Sequence, residues 1–81
     1  MDVLYFAWVR ERIGLPREEV ETKAKTVSEL VAELSAREAR YAAAFADVSA
    51  LRVALDQALA DFDAPLEGVR EVAFFPPMTG G

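Results

Sequence analysis

The chain contains neither cysteine nor histidine. Without cysteine there can be no disulfide, no thiolate nucleophile and no cysteine metal site. Without histidine the usual general base and the commonest metal ligand are gone. Asparagine is missing too, and Gln57 is the single glutamine. Lysine occurs only as Lys23 and Lys25, in one short polar stretch. A self-sufficient hydrolase or metalloenzyme would have to work with carboxylates and two lysines, so the chain is expected not to be catalytic alone. No apolar run approaches the roughly 18 residues of a membrane span, and no signal-peptide pattern opens the sequence. A cytoplasmic protein is expected.

What is present suffices for one small domain. The 81 residues are 53% hydrophobic, which argues for a packed core and against disorder. Acidic residues outnumber basic ones 14 to 9, for a net charge of −5. Lysines and arginines form no cluster, which argues against nucleic acid as a partner. The net acidity favours a basic protein surface instead.

The C-terminal stretch Phe74-Phe75-Pro76-Pro77-Met78-Thr79-Gly80-Gly81 stands apart. Two aromatics close a strand, and two prolines, lacking the N–H of a sheet ladder, forbid its continuation. Residues 1–75 are therefore expected to form the domain and 76–81 an extended tail. Six residues reach about 20 Å when extended. Gly80 and Gly81 lack a Cβ and can thread a channel too narrow for other residues. A terminal Gly-Gly can also be a frayed end, and two glycines at a given place arise by chance about once in 200 chains. The Pro-Pro stop directly after a strand sharpens the signal. With cysteine and histidine absent, the Gly81 carboxylate is the candidate reactive group.

Along the chain, Val3-Leu4-Tyr5-Phe6-Ala7 reads as a first strand, apolar on both alternating sets and so central. Arg10-Glu11-Arg12 breaks the apolar run, and Ile13-Gly14-Leu15-Pro16 reads as a turn. Glu18 to Lys23 alternates weakly around Val20 as an edge strand. Thr26-Val27-Ser28-Glu29 is a capping box in which Thr26 accepts the N–H of residue 29 and Glu29 reaches back to the N–H of residue 26. Val27, Leu30, Val31 and Leu34 then form one apolar stripe of a helix, with Glu33 and Arg37 spaced as an ion pair on the wet side. Glu38 to Phe45 predicts a second short helix whose Tyr41 and Phe45 pack in the core or at its rim. Leu51, Val53 and Leu55 mark a third strand, Asp56-Gln57 a turn, and Ala58-Leu59-Ala60 a short return strand. Asp61 to Leu66 reads as a loop, Gly68 as a turn, and Glu71 to Phe75 as the last strand.

This order predicts an α+β fold, a mixed sheet of about five strands crossed by one main helix, in the β-grasp or ubiquitin-like arrangement. In the last strand Val72 and Phe74 face one side, Ala73 and Phe75 the other. If the first pair is core, Phe75 lies on the exposed side beside the tail. Leu59 is the other bulky residue without an obvious buried place. Single exposed apolars are common, but these two near the tail suggest a partner-docking patch.

The sequence resembles the small, sulfur-carrier subunit family of molybdopterin synthase (MoaD family). The likeness runs through Val3-Leu4-Tyr5-Phe6-Ala7 with Val9-Arg10-Glu11, Thr26-Val27-Ser28-Glu29-Leu30, Val53-Ala54-Leu55-Asp56-Gln57 and, most specifically, Glu71-Val72-Ala73-Phe74-Phe75-Pro76-Pro77-Met78-Thr79-Gly80-Gly81. Val69-Arg70 departs from the Gly-Asp that members often carry there, and Asp56 stands where Asn is common. The resemblance implies a β-grasp carrier whose Gly81 is adenylated with ATP by an E1-like adenylating enzyme and then converted to a thiocarboxylate. A sulfurtransferase supplies the sulfur. The tail would enter the large subunit of a heterotetramer of two small and two large subunits and donate sulfur to cyclic pyranopterin monophosphate, forming the dithiolene of molybdopterin. On this resemblance Gly81 reacts, Pro76, Pro77, Met78, Thr79 and Gly80 position it, and Phe75 and Leu59 meet the partner. The domain itself would hold no metal or cofactor, with AMP or sulfur carried transiently on Gly81. A carrier for thiamin thiazole, or a ubiquitin-like protein modifier, shares the first chemical step and is the alternative.

Overall fold

The computed structural model describes residues 1–77. Five strands form one mixed sheet in the order β2-β1-β5-β3-β4. They are β1 (Asp2–Tyr5), β2 (Arg17–Glu19), β3 (Arg52–Leu55), β4 (Ala58–Ala60) and β5 (Glu71–Phe75), with helices α1 (Ala7–Ile13), α2 (Val27–Arg37) and α3 (Ala39–Ala44) between them. β1 and β5 run parallel, and the other pairs are antiparallel. This is the β-grasp arrangement that the sequence predicts.

Burial explains the arrangement. The α2 stripe Val27, Leu30, Val31 and Leu34 is buried, as its spacing predicts, against Val3 and Tyr5 of β1, Val53 of β3 and Val72 and Phe74 of β5. Thr26 caps α2 by accepting the Glu29 N–H at 3.2 Å. Glu29 reaches back one residue further than expected, to the N–H of Lys25 at 3.4 Å. Glu33 accepts from the Thr22 hydroxyl instead of pairing with Arg37. Tyr41 and Phe45 are both core residues.

The main departure from the sequence reading is α1, which replaces the expected break and turn after the first strand. Val9 and Ile13, one helical turn apart, are both fully buried, and Arg12 lies over the Trp8 ring at 4.5 Å. Those contacts outweigh the charged Arg10-Glu11-Arg12 surface, which stays wet. Gly14 ends the helix at φ +90°, donating its N–H to the Arg10 carbonyl at 2.7 Å. At the other end Ala7, at φ +51°, turns the chain directly from strand to helix. The first strand therefore stops at Tyr5 rather than Ala7. β2 is an edge strand as expected but shorter and earlier than Glu18 to Lys23. Past its end the Val20 N–H bonds the Met1 carbonyl at 2.8 Å, which seats Val20 in the core.

Asp56 and Gln57 both take positive φ, +50° and +72°, the two-residue turn that joins antiparallel strands without splaying them. Asp56 Oδ1 also accepts the backbone N–H groups of Arg70 and Glu71, each at 3.0 Å. This side chain pins the start of β5 to the β3–β4 turn. The local shape around Val69-Arg70 is set by that bond pair together with Gly68 at φ +76°.

Candidate functional site

The tail leaves from β5, the best-supported strand of the sheet. β1 pairs along one side of it from Asp2 to Tyr5 and β3 along the other from Arg52 to Leu55. Phe74 anchors its end, stacked on Tyr5 at 6.3 Å and edge-on to Phe45 at 5.0 Å between ring centroids. Phe62 lies along its other side at 6.5 Å. The strand stops at Phe75 because Pro76 cannot donate to the ladder. Pro76 and Pro77 follow without regular structure and half-buried. Met78, Thr79, Gly80 and Gly81 lie outside the described residues.

Phe75 is half-buried rather than exposed, because its face of the sheet is itself apolar. The pairing register places Leu4 of β1, Ala54 of β3 and Leu59 of β4 on that face with Ala73 and Phe75. Leu59 is 73% exposed, the most exposed large apolar side chain among the described residues. Two strands and one same-face step separate it from Phe75, about 12 Å at ordinary sheet spacings. The two residues therefore share one outer face without touching.

Sequence reasoning missed Phe6. Its N–H bonds the Phe74 carbonyl at 3.1 Å, its backbone is extended, and its carbonyl accepts from Val9 and Arg10. The side chain falls on the same side as Leu4 and is 45% exposed beside the end of β5. The signal was present in Val3-Leu4-Tyr5-Phe6-Ala7, which is apolar on both faces. One set feeds the core, and the other, Leu4 and Phe6, belongs to this outer patch.

Charge is unevenly spread over the same sheet. At the end away from the tail, Glu19, Asp2 and Glu71 are cross-strand neighbours, and the Asp56 N–H bonds the Glu71 carbonyl at 2.9 Å on the next strand. Among the described residues, Asp2 alone in that row has an ion-pair partner, Arg17 at 2.9 Å. At the other end, by the tail exit, Arg52 is the cross-strand neighbour of Phe75.

Titratable groups near the tail serve the fold. Glu18 Oε2 accepts from both Tyr5 and Tyr41 hydroxyls, at 2.8 and 2.5 Å. Burial, then the Glu18 carboxylate, pushes Tyr5 well above the ordinary value and raises Tyr41 as well. Such hydroxyls keep their protons and act as donors that lock β2, β1 and α3 together. Among the described residues no cluster of carboxylates could hold a metal ion.

Comparison with known proteins agrees with this architecture. Residues 3–81 match the model of the ThiS family. The molybdopterin synthase sulfur carrier subunit of Escherichia coli is 46% identical over 79 residues, covering 98% of this chain and 96% of that protein. The protein of the same name from Haemophilus influenzae is 33% identical over 81 residues, covering 100% and 99%. Among solved structures, SAMP1 from Haloferax volcanii superposes with a TM-score of 0.77 at 21% identity, covering 100% of this chain and 98% of that one. A putative molybdopterin converting factor, subunit 1, from Pyrococcus furiosus gives 0.70 at 23%, covering 95% of each. At those identities the two structures speak for the fold alone, whereas the family match and the two sequence relatives span nearly whole chains. The chain belongs to the ThiS family, as a homologue of the sulfur carrier subunits of molybdopterin synthase.

Proposed function

We propose that this chain is the sulfur-carrier small subunit of a molybdopterin synthase, with Gly81 as its reacting residue. Residues 1–75 act as the handle and residues 76–81 as the arm. The observation that carries the reading is the junction at Phe75, where the most firmly paired strand ends at two prolines beside an outward apolar face. Membership of the ThiS family and the names of the two relatives support it.

In the proposed sequence the Gly81 carboxylate attacks the α-phosphorus of ATP on an E1-like adenylating enzyme, releasing pyrophosphate. Sulfide-level sulfur delivered by a sulfurtransferase attacks the acyl carbon and displaces AMP, leaving a thiocarboxylate. The acyl carbon of glycine carries no side chain to obstruct that attack. A thiocarboxylate sulfur is a stronger nucleophile than the oxygen it replaces, and the carrier needs no cysteine. Gly80, Thr79, Met78, Pro77 and Pro76 position the terminus in the large subunit, where sulfur passes to cyclic pyranopterin monophosphate. Two small and two large subunits would make the complex, and catalytic side chains would come from the large subunit. The carrier is thus a co-substrate that holds no cofactor of its own and works in the cytoplasm. No described helix is long and apolar enough to cross a membrane.

Phe75, Leu59 and Phe6 seat the domain on the partner. Phe75→Ala should weaken the complex by about 2 kcal/mol if it is a hot spot, and unchanged affinity would remove it from the interface. The central test is intact-mass spectrometry of the chain isolated beside its sulfur-loading enzymes. The expected result is a mass gain equal to oxygen replaced by sulfur at Gly81. Finding only the carboxylate beside an active adenylating enzyme would refute the carrier reading, and a mass corresponding to attachment to protein lysines would favour a modifier. Deleting Gly81 should leave the melting temperature unchanged and abolish sulfur transfer.

A further inference from the structure

The two edges of the sheet are built differently. β2 closes one side with Arg17, Glu18 and Glu19, charged residues that discourage a further strand. β4 closes the other with Ala58, Leu59 and Ala60, and carries no charge, proline or bulge. The Asp56-Gln57 turn sets which backbone groups this second edge presents. In a two-residue hairpin the flanking pair, here Leu55 and Ala58, exchanges both ladder bonds. Alternation gives Val53 and Ala60 the next such pair and turns the Leu59 N–H and C=O away from β3. Among the described residues no turn or loop bond takes up either group. Leu59 thus presents an open donor, an open acceptor and an exposed apolar side chain at one point.

Ala-Leu-Ala also reads the same in both directions. Two antiparallel copies related by a two-fold axis at Leu59 place Leu59 opposite Leu59 and each Ala58 opposite an Ala60. The two leucines then exchange both N–H···O=C bonds, about 5.5 Å apart between Cα atoms, with their side chains on one face. The same register sets Gln57 against Asp61, an amide facing a carboxylate, so no like charges meet. β2 fails this match, because its central Glu18 would oppose itself.

We infer that the β4 edge pairs with the β4 edge of a second copy of this chain, joining two five-stranded sheets into one continuous sheet. A two-fold contact requires a self-complementary surface, and this edge supplies one. The inference is independent of the docking reading above, since it needs neither Gly81 nor the large subunit. Pairing over three residues buries well under the roughly 1,000 Å² of a stable complex, so the dimer is weak, with a dissociation constant on the order of 0.1–1 mM.

Sedimentation equilibrium of the full chain, from well below to well above that constant, is the test. The native chain should show a monomer–dimer equilibrium. Leu59→Lys and Leu59→Glu, each alone, should weaken it about tenfold or more, because like charges then meet on the axis. An equimolar mixture of the two variants should recover association, since the introduced charges are then opposite. Leu59 is exposed, so both variants should keep the native melting temperature. Amide exchange at Leu59 should slow as the native chain is concentrated, while Ala58 and Ala60, already bonded to β3, should not change. A native chain that stays monomeric, or single variants that associate as it does, would overturn the inference. A mixture no stronger than either variant alone would overturn it too, since Leu59 would then not face itself. Protection of the Leu59 amide by the large subunit of molybdopterin synthase, without any on concentrating the chain, would assign the edge to that partner and likewise overturn the inference.

Discussion

Replacing Asp56 by alanine removes two supports at once. The side chain accepts the N–H groups of Arg70 and Glu71, each at 3.0 Å, and its backbone sits at φ +50°. A hydrogen bond is worth about 0.5–1.5 kcal/mol net, and exposure of this carboxylate points to the lower half of that range. Alanine in the left-handed region costs about 1 kcal/mol more than a residue suited to it. Together the loss should be about 2–3 kcal/mol. For a domain of this size each kcal/mol moves the melting temperature by roughly 4–8 °C, so Asp56→Ala should melt about 10–20 °C lower. Two further substitutions separate the contributions. Asp56→Gly tolerates the turn but loses the bonds, and should cost about half as much. Asp56→Asn keeps an acceptor and the tolerance for positive φ, and should stay within about 1 kcal/mol of the native chain. Thermal and urea unfolding of the set are the assays. Asp56→Ala within about 0.5 kcal/mol of native, or Asp56→Gly equal to it, would refute the reasoning that this side chain both turns β3–β4 and holds β5.

Phe74→Ala removes the ring shared by Tyr5, Phe45 and Phe62, and should cost about 3–5 kcal/mol, enough to leave the domain partly unfolded at room temperature by urea titration. Stability should fall as pH rises above the ordinary tyrosine value of 10, because Tyr5 and Tyr41 hold their protons more tightly folded than unfolded. The slope from Tyr5 is at most about 1.4 kcal/mol per pH unit, and Tyr5→Phe should flatten it when urea midpoints are followed between neutral and alkaline pH. Ala7→Val places a β-branched side chain at φ +51° and should cost more than about 1 kcal/mol, whereas Ala7→Gly should cost less than that, by thermal melting.

Several elements were legible in the residues because local chemistry alone fixes them. The α2 stripe and its Thr26 cap, the Asp56-Gln57 turn, the span of β5 and the core side of Val72 and Phe74 all follow from spacing and turn preference. Others were not, because their stabilising contacts come from far along the chain. The segment after β1 carries Arg10-Glu11-Arg12, which looks like a break. It forms α1 because Val9 and Ile13 find a core built by α3 and the sheet. Likewise Glu33 turns to Thr22 rather than to the locally spaced Arg37, and Phe75 is half-buried because its whole face is apolar.

For function, the sequence by itself marks the candidate reactive end. Without cysteine or histidine, the Phe-Phe-Pro-Pro and Gly-Gly stretch offers the Gly81 carboxylate proposed above, and that proposal needs only the covalent structure. Tertiary structure decided the surface that presents the tail. Only strand register brings Leu4, Phe6, Ala54, Leu59, Arg52 and Phe75 to one side, since residues from four separate segments share a face when pairing aligns them. Alternation tells which residues lie together on one strand, but not which strands lie side by side.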